Sequence, residues 1–375
     1  MTDGRHRPGA PSGGHTGRKP SPPGAGDPTG SGAPVRRVTI RDVALLAEVS
    51  LGTVSNVLND NAVVAPRTRR RVLEAISQTG FVRSTAAHQL RVGKSRTVGV
   101  VLLDIANPFF SEMVRGAEGV LRDKGYVLMV CSSDESIERE RRYLRVLEEH
   151  RVDGLLITPV QRDLSEVAEL AARGTPTVLL DRDGAEQDLC SATVDDVRGG
   201  ELAADHLYSL GHETVAFVNG PASIRQCADR REGVRKAFRR ARRRGPAHLH
   251  EVAVSALTVD QGEKAVPALL AMSPRPTAVM CANDLLALGT LKRLTESGVA
   301  VPGEMAVTGY DDVSFASMLS PSLTSVRQPK YELGAVAAEL LLDEASGGAH
   351  QHRSVRFEPE LVVRASSGRP ARKRR

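Results

Sequence analysis

The chain has 375 residues, 41% hydrophobic and 26% charged, a globular composition long enough for two or three compact units. No run of about 18 apolar residues occurs and no basic-then-apolar leader opens the chain, so neither a membrane span nor export is expected, and the cytoplasm is. Charge is divided: residues 1–97 carry 15 Lys and Arg against 6 Asp and Glu, residues 98–363 carry 30 against 39, and the segment from 364 has 6 basic residues and no acidic one. A basic N-terminal module beside an acidic body is the footprint of a small domain that meets a polyanion.

In chain order, residues 1–37 are rich in Gly, Pro, Ser and Arg with little to bury, and are expected to form a disordered tail. Thr39 then precedes Ile40, Val43, Ala44 and Ala47, the spacing of one buried helix face. Ser50 can cap a second helix over 51–58, with Val54, Val57 and Leu58 inward and Leu51, Gly52, Ser55 and Asn56 toward solvent. A third helix starts at Pro66 and runs to Gly80, which completes a helix-turn-helix module over 38–92.

Beyond a linker at 92–96, short β-branched runs alternate with amphipathic helices. Strands are expected at 98–103, 127–131, 154–157, 177–180, 214–218, 278–280 and 306–310, with helices at 109–124, 138–149, 198–210 and 284–297 among others. This is an α/β pattern of doubly wound parallel sheets. Its length suits two lobes with a cleft between them, where ligands collect at the carboxyl ends of strands. The cysteines Cys131, Cys190, Cys227 and Cys281 lie far apart, without Cys-x-x-Cys and without histidine pairs nearby, so they read as small buried apolar residues. No disulfide, metal or cofactor is expected.

The segments Val38-Thr39-Ile40-Arg41-Asp42-Val43-Ala44, Val49-Ser50, Thr53-Val54-Ser55, Val57-Leu58-Asn59 and Thr68-Arg69 closely resemble the lactose-repressor (LacI/GalR) family of bacterial transcription regulators. Further landmarks occur in the family's order as far as Arg364: Asn107-Pro108-Phe109-Phe110, Val152-Asp153-Gly154, Asp181-Arg182, Leu210-Gly211-His212, Arg230, Ala282-Asn283-Asp284 and Gly309-Tyr310-Asp311-Asp312. The resemblance implies a small all-α DNA-binding domain followed by a two-lobed periplasmic-binding-protein-like (type I) α/β body over 98–364. Lobe 1 would hold about 98–195 and 328–357, lobe 2 about 196–326 and 358–364, with a basic tail at 365–375.

By the same resemblance the second helix enters the DNA major groove, with Leu51, Gly52 and Asn56 reading bases and Thr39, Ser50, Thr53 and Ser55 near phosphates. An amide such as Asn56 can donate to and accept from adenine, whereas Gly52 has no side chain to read with. Residues 84–91 resemble the family's hinge helix, with Leu90 as the minor-groove wedge. Val82-Arg83-Ser84-Thr85 departs from the family's Arg-Pro-Asn before the hinge. In the cleft the implied effector residues are Asn107, Phe109, Arg230, Asn283 and Asp311. Asp181 and Asp284 serve as caps, positioning groups or ligands, and His212 reads as a surface or capping histidine.

Carboxylates, amides and an arginine suit a polyhydroxylated ligand, and a sugar is the default expectation. The function expected is a homodimeric, effector-controlled repressor on palindromic double-stranded operator DNA, and not an enzyme. An α/β sugar-converting enzyme and a transport-type sugar-binding protein are the alternatives. The first finds no Gly-x-Gly-x-x-Gly, Walker loop, Gly-x-Ser-x-Gly or His-based metal spacing, and the second leaves the basic module unused. No terminal leucine heptads call for a tetramer.

Overall fold

The computed structural model describes residues 38–59, 61, 63–82, 95–347 and 350–370. The chain divides into two compact units, one ending at Ser84 and the other beginning at Thr85. The expected N-terminal tail, the hinge segment with Leu90 and residues 371–375 lie outside the described residues.

The first unit holds α1 (Ile40–Leu46), α2 (Leu51–Leu58) and α3 (Pro66–Thr79). Val43, Ala44, Ala47, Val54, Val57, Val72 and Ala75 form its small core, with Ile40 and Leu58 partly buried against it. Glu48 takes a left-handed conformation between α1 and α2, and Arg71 donates to its carbonyl, which pins the turn to the third helix. Gly80, at φ 61°, ends α3 in the left-handed conformation that glycine adopts without steric cost.

The second unit starts with β1 (Thr97–Leu102), α4 (Pro108–Asp123), β2 (Val127–Ser132), α5 (Ile137–Glu149), β3 (Gly154–Ile157), α6 (Ser165–Ala172), β4 (Thr177–Leu180) and β5 (Cys190–Val194). The chain continues through α7 (Asp196–Ser209), β6 (Thr214–Asn219), α8 (Arg225–Arg242), β7 (His248–Ala253), α9 (Val259–Ala271), β8 (Ala278–Cys281), α10 (Asp284–Glu296), β9 (Ala306–Asp311) and β10 (Thr324–Arg327). After α11 (Lys330–Glu344), β11 (Ser354–Phe357) joins the first sheet and β12 (Glu360–Val362) the second. The sheet orders are β11-β5-β4-β3-β1-β2 and β12-β10-β9-β8-β6-β7. Every pairing is parallel except that of β12 with β10.

Central strands such as β3, β4 and β8 are buried throughout, as expected when helices cover both faces of a parallel sheet. Leu102, Met113, Leu156 and Leu333 pack on one face of the first sheet, and Leu144, Leu155, Ile157 and Leu170 on the other. Phe217, Met280, Leu286 and Tyr310 belong to the core around the second sheet. Helices α7 and α8 approach backbone to backbone: a Cβ on Gly200 would overlap the Arg230 carbonyl, and one on Gly233 the Val197 carbonyl.

Two expectations need correction. Residues from 365 do not begin as a free tail: Ser366 is fully buried, donating to the Val307 carbonyl at 2.7 Å and accepting from the Thr324 amide at 2.8 Å. His212 is not on the surface. It is buried between Thr277 Oγ1 at 2.9 Å and the Gly368 carbonyl at 2.7 Å, and so ties this C-terminal segment to the second lobe. Of the cysteines, Cys190, Cys227 and Cys281 are buried and Cys131 is half-buried.

Candidate functional site

In the first unit, Thr39 and Ser50 open α1 and α2. The Thr39 amide and hydroxyl both donate to Asp42 Oδ2, at 2.8 and 2.7 Å. Ser50 Oγ accepts from the Thr53 amide at 3.1 Å and lies 2.9 Å from Thr53 Oγ1. Such caps satisfy amides that a helix leaves open at its start. The outward side of α2 carries exposed Leu51 and Gly52 and half-buried Thr53, Ser55 and Asn56. A Cβ on Gly52 would meet nothing closer than Ser50 Oγ at 3.6 Å, so packing does not demand glycine there.

In the second unit, the strand order reverses beside β1 and β6, and polar residues gather after the carboxyl ends of β1, β4, β5, β8 and β9. Arg230, on α8, is the central cation. Its Nε donates to Asp196 Oδ1 and its Nη1 to the Ala282 carbonyl, both at 2.7 Å. Nη1 stands 3.8 Å from Asp311 Oδ1, and the guanidinium lies 3.7 Å from the centroid of the Tyr310 ring. Gln328 donates to Asp311 Oδ1 at 2.8 Å, and Lys330 reaches the carbonyls of Asp311 and Asp312 at 2.8 and 2.9 Å.

The bonds of Gln328 and Lys330 cross from the first lobe to the second, and two further side chains also bridge them. Asn107 Nδ2 approaches Asp311 Oδ2 at 3.5 Å, and Gln226 Nε2 donates to the Asp181 carbonyl and to Asp181 Oδ2 at 2.6 and 2.9 Å. Against the same groups lies a cavity of about 240 Å³ lined by Asp181, Thr193, Asp196, Gln226 and Asp229, among others.

Three buried carboxylates, Asp181, Asp196 and Asp311, thus surround one buried guanidinium. Burial pushes the Asp181 carboxyl well up, and the charge of Asp196 adds to the shift. Burial also raises Asp196 against the pull of Arg230, and takes Asp311 up to about 6 although Arg230 and Lys330 oppose it. Burial works against the charge on Arg230, but its acidic neighbours hold its pKa well above the ordinary arginine value. Asp181 Oδ1 is buried with no hydrogen-bond partner among the described residues. Donors are left over as well: Nε and Nη1 of Arg182, which lines the same cavity, and the Tyr310 hydroxyl are buried without a partner among the described residues.

Of the residues expected at this cleft, Arg230, Asp311 and Asn107 converge. Asn107 also caps α4, its Oδ1 accepting from the Phe109 amide at 3.0 Å. Phe109 is buried in the apolar core, edge-on to Phe110 with ring centroids 5.0 Å apart. Asn283 caps α10, its Oδ1 accepting from the Leu286 amide, and its Nδ2 donates to the Leu257 carbonyl, so both ends of the amide are engaged. Asp284 is engaged too, accepting from Ser325 Oγ at 2.7 Å and the Val313 amide at 2.9 Å. Asp196, Gln226 and Gln328 escape the sequence reading. Gln226 could have been found as the residue one helical turn before Arg230 on the same face.

A helix-turn-helix unit in one chain with a two-lobed body, whose polar residues meet where the lobes face each other, defines a DNA-binding regulator with a ligand-binding-type domain. The description "Bacterial regulatory proteins, lacI family" matches residues 39–84, and the periplasmic binding protein-like domain matches residues 204–367. The chain is 36% identical over 331 residues to the HTH-type transcriptional repressor PurR of Vibrio cholerae, covering 87% of this chain and 97% of that one. It is therefore a member of the lacI family of bacterial regulatory proteins, which are DNA-binding regulators rather than enzymes.

Solved structures agree. A LacI family regulator of Enterococcus faecium with bound ribose is 31% identical, with a TM-score of 0.65 over 73% of this chain and 99% of that one. The lac repressor dimer bound to operator and the anti-inducer ONPF is 28% identical, with a TM-score of 0.75 over 89% of this chain and all of that one. Among the described residues, no helix is long and apolar enough to cross a membrane.

Proposed function

We propose that this protein is a homodimeric transcriptional repressor of palindromic operator DNA, and that a neutral polyhydroxylated effector, a sugar in the first instance, binds between the lobes and changes operator affinity. Leu51, Gly52 and Asn56 face the bases, with Thr39, Ser50, Thr53 and Ser55 close to phosphates. Arg230, Asp311 and Asn107 bind the effector, and Phe109 and Asn283 shape its site. The lac repressor dimer on operator and the ribose-bound Enterococcus faecium regulator support the partner and effector classes by analogy.

The observation that carries the effector's chemistry is that one cavity, bordered by buried carboxylates, holds both an orphaned acceptor, Asp181 Oδ1, and orphaned donors, Nε and Nη1 of Arg182. A hydroxyl both donates and accepts and so can satisfy either kind of atom, whereas an anion would add charge beside carboxylates whose charged form burial already disfavours. Binding can alter operator affinity only through the effector's different affinities for the two lobe arrangements, typically by about 1–3 kcal/mol.

The test is fluorescence anisotropy on an inverted-repeat duplex selected from a random pool, with neutral sugars and their acidic or phosphorylated counterparts added in turn. A neutral sugar should shift operator affinity about 5- to 150-fold. Asp311→Asn and Arg230→Met should abolish that shift. An anionic ligand that acts while its neutral counterpart does not would overturn the reading.

A further inference from the structure

The first lobe brings together four side chains of the types that ligate metals, which no spacing in the sequence announces. Cys190 opens β5, Glu344 ends α11, and His350 and His352 lie just before β11. Parallel pairing of β11 with β5 sets Ser354 against Ser191, which carries the two histidines alongside a cysteine about 160 positions earlier. One donor atom from each of the four lies within 4.8 Å of all the others. A tetrahedral zinc shell holds its ligand atoms about 3.3–3.6 Å apart, which follows from metal–ligand bonds of about 2.0–2.3 Å. The cluster therefore needs only a small contraction.

The hydrogen bonding separates this cluster from an ordinary buried polar group. Cys190 Sγ lies 3.1 Å from His350 Nε2, and the other ring nitrogen of His350 stands 3.3 Å from Asp343 Oδ2. A carboxylate on the far nitrogen of a histidine is the arrangement that orients metal-bound imidazoles. Glu344 Oε1 accepts from the Thr177 amide at 3.3 Å, while Glu344 Oε2 and His352 Nδ1 are both buried with no partner among the described residues. Two orphaned buried atoms facing one cluster are costly, and a single cation would satisfy both.

We propose that Cys190, Glu344, His350 and His352 bind a divalent transition-metal ion, with zinc the best match. One sulfur, two imidazole nitrogens and one carboxylate form a set that prefers zinc to calcium or magnesium. A thiolate and a carboxylate together neutralise the ion's charge. Four protein ligands leave no open position, which makes the site structural rather than catalytic. The ion staples the end of α11 and the edge strand β11 to β5. Farther along β11, Ser354 and Arg356 bond Asp183 at 3.3 and 3.0 Å, on the wall of the cavity described above.

No metal is expected from the sequence alone because no histidine pair lies near a cysteine along the chain. His350-x-His352 stands alone there, and only the return of the chain to the first sheet supplies its partners.

The test is titration of the full-length chain, stripped by chelator, with Co²⁺ as a spectroscopic probe, followed by displacement with Zn²⁺. One equivalent per chain should produce tetrahedral visible bands together with a near-ultraviolet thiolate-to-cobalt band, and Zn²⁺ should abolish both. Cys190→Ser should lose the thiolate band, Asp343→Asn should weaken binding about 10- to 100-fold, and Cys131→Ser should change neither. Circular dichroism checks that each variant folds. If Cys190→Ser does not fold, His352→Gln decides, since it must weaken the band in a chain whose four thiols are intact. A wild-type titration without a thiolate band, or a band that survives Cys190→Ser or is unchanged in His352→Gln, would overturn the proposal.

Discussion

Gln226 donates its side-chain amide to both the carbonyl and the carboxylate of Asp181, at 2.6 and 2.9 Å, and so fastens α8 of the second lobe to the end of β4 in the first. Arg230 lies one turn further along the same helix. The helix that carries the central cation is thus also a strut between the lobes. Gln226→Ala removes both bonds and leaves the Asp181 carboxyl buried with fewer donors. Loss of a buried donor of this kind costs about 1–3 kcal/mol, measurable by urea unfolding. Small-angle scattering should show a more open average separation of the lobes. An unchanged unfolding midpoint would mean that the strut contributes nothing.

Asp311 makes the protein's stability depend on pH in a defined direction. Its carboxyl is raised to about 6 in the folded chain, above the ordinary value of about 3.9 expected when unfolded. The folded state holds this proton more tightly, so the stabilisation is fully present below about pH 4 and is lost as pH rises through about 6. A shift of this size corresponds to roughly 3 kcal/mol. Asp181 and Asp196 are raised as well and act in the same direction. Urea unfolding of wild type and Asp311→Asn at pH 4.5, 5.5 and 6.5 isolates the contribution. The variant should be less stable than wild type at no pH in this range, and its advantage should grow with pH. A constant difference would remove Asp311 as the titrating group.

At Gly52 stability and recognition should separate. A Cβ there has open space, and glycine in a helix costs about 0.5–1 kcal/mol relative to alanine. Gly52→Ala should therefore raise the melting temperature slightly. Gly52→Gln adds an amide that can reach a base edge, and should change the preferred half-site in selection from a random duplex pool. If Gly52→Gln selects the same operator with the same affinity, this position does not face the bases.

How far the sequence reaches can be judged from particular elements. The expected helix from 109 is observed as Pro108–Asp123, and the expected strand at 127–131 as Val127–Ser132, because the first keeps the apolar spacing of one helix face and the second is a short unbroken apolar run. The edge strands His248–Ala253, Ser354–Phe357 and Glu360–Val362 escape, since their half-exposed, charge-bearing residues lack the apolar run of a central strand. The buried strand Cys190–Val194 escapes too, and with it the position of Asp196 just beyond a carboxyl end. Arg230 and Asp311 are legible through motif resemblance. The pairing of Gln226 with Asp181 joins residues 45 positions apart in different lobes, which local pattern does not encode.

The close approach of α7 and α8 sets the Arg230–Asp196 pair, and Gly233 permits it. A methyl group on Gly233 would overlap the Val197 carbonyl, a backbone atom that moves only if the whole helix moves. Overpacking of this kind costs typically about 1–3 kcal/mol, and here it would also stretch the 2.7 Å bond from Arg230 to Asp196, which sits on the helix being displaced. Gly233→Ala should therefore lower both the unfolding midpoint and effector affinity. Gly245→Ala is the matched control, because a Cβ there meets nothing within 4 Å. Equal behaviour of the two variants in thermal melting and in effector titration would show that contact between α7 and α8 does not position the cation.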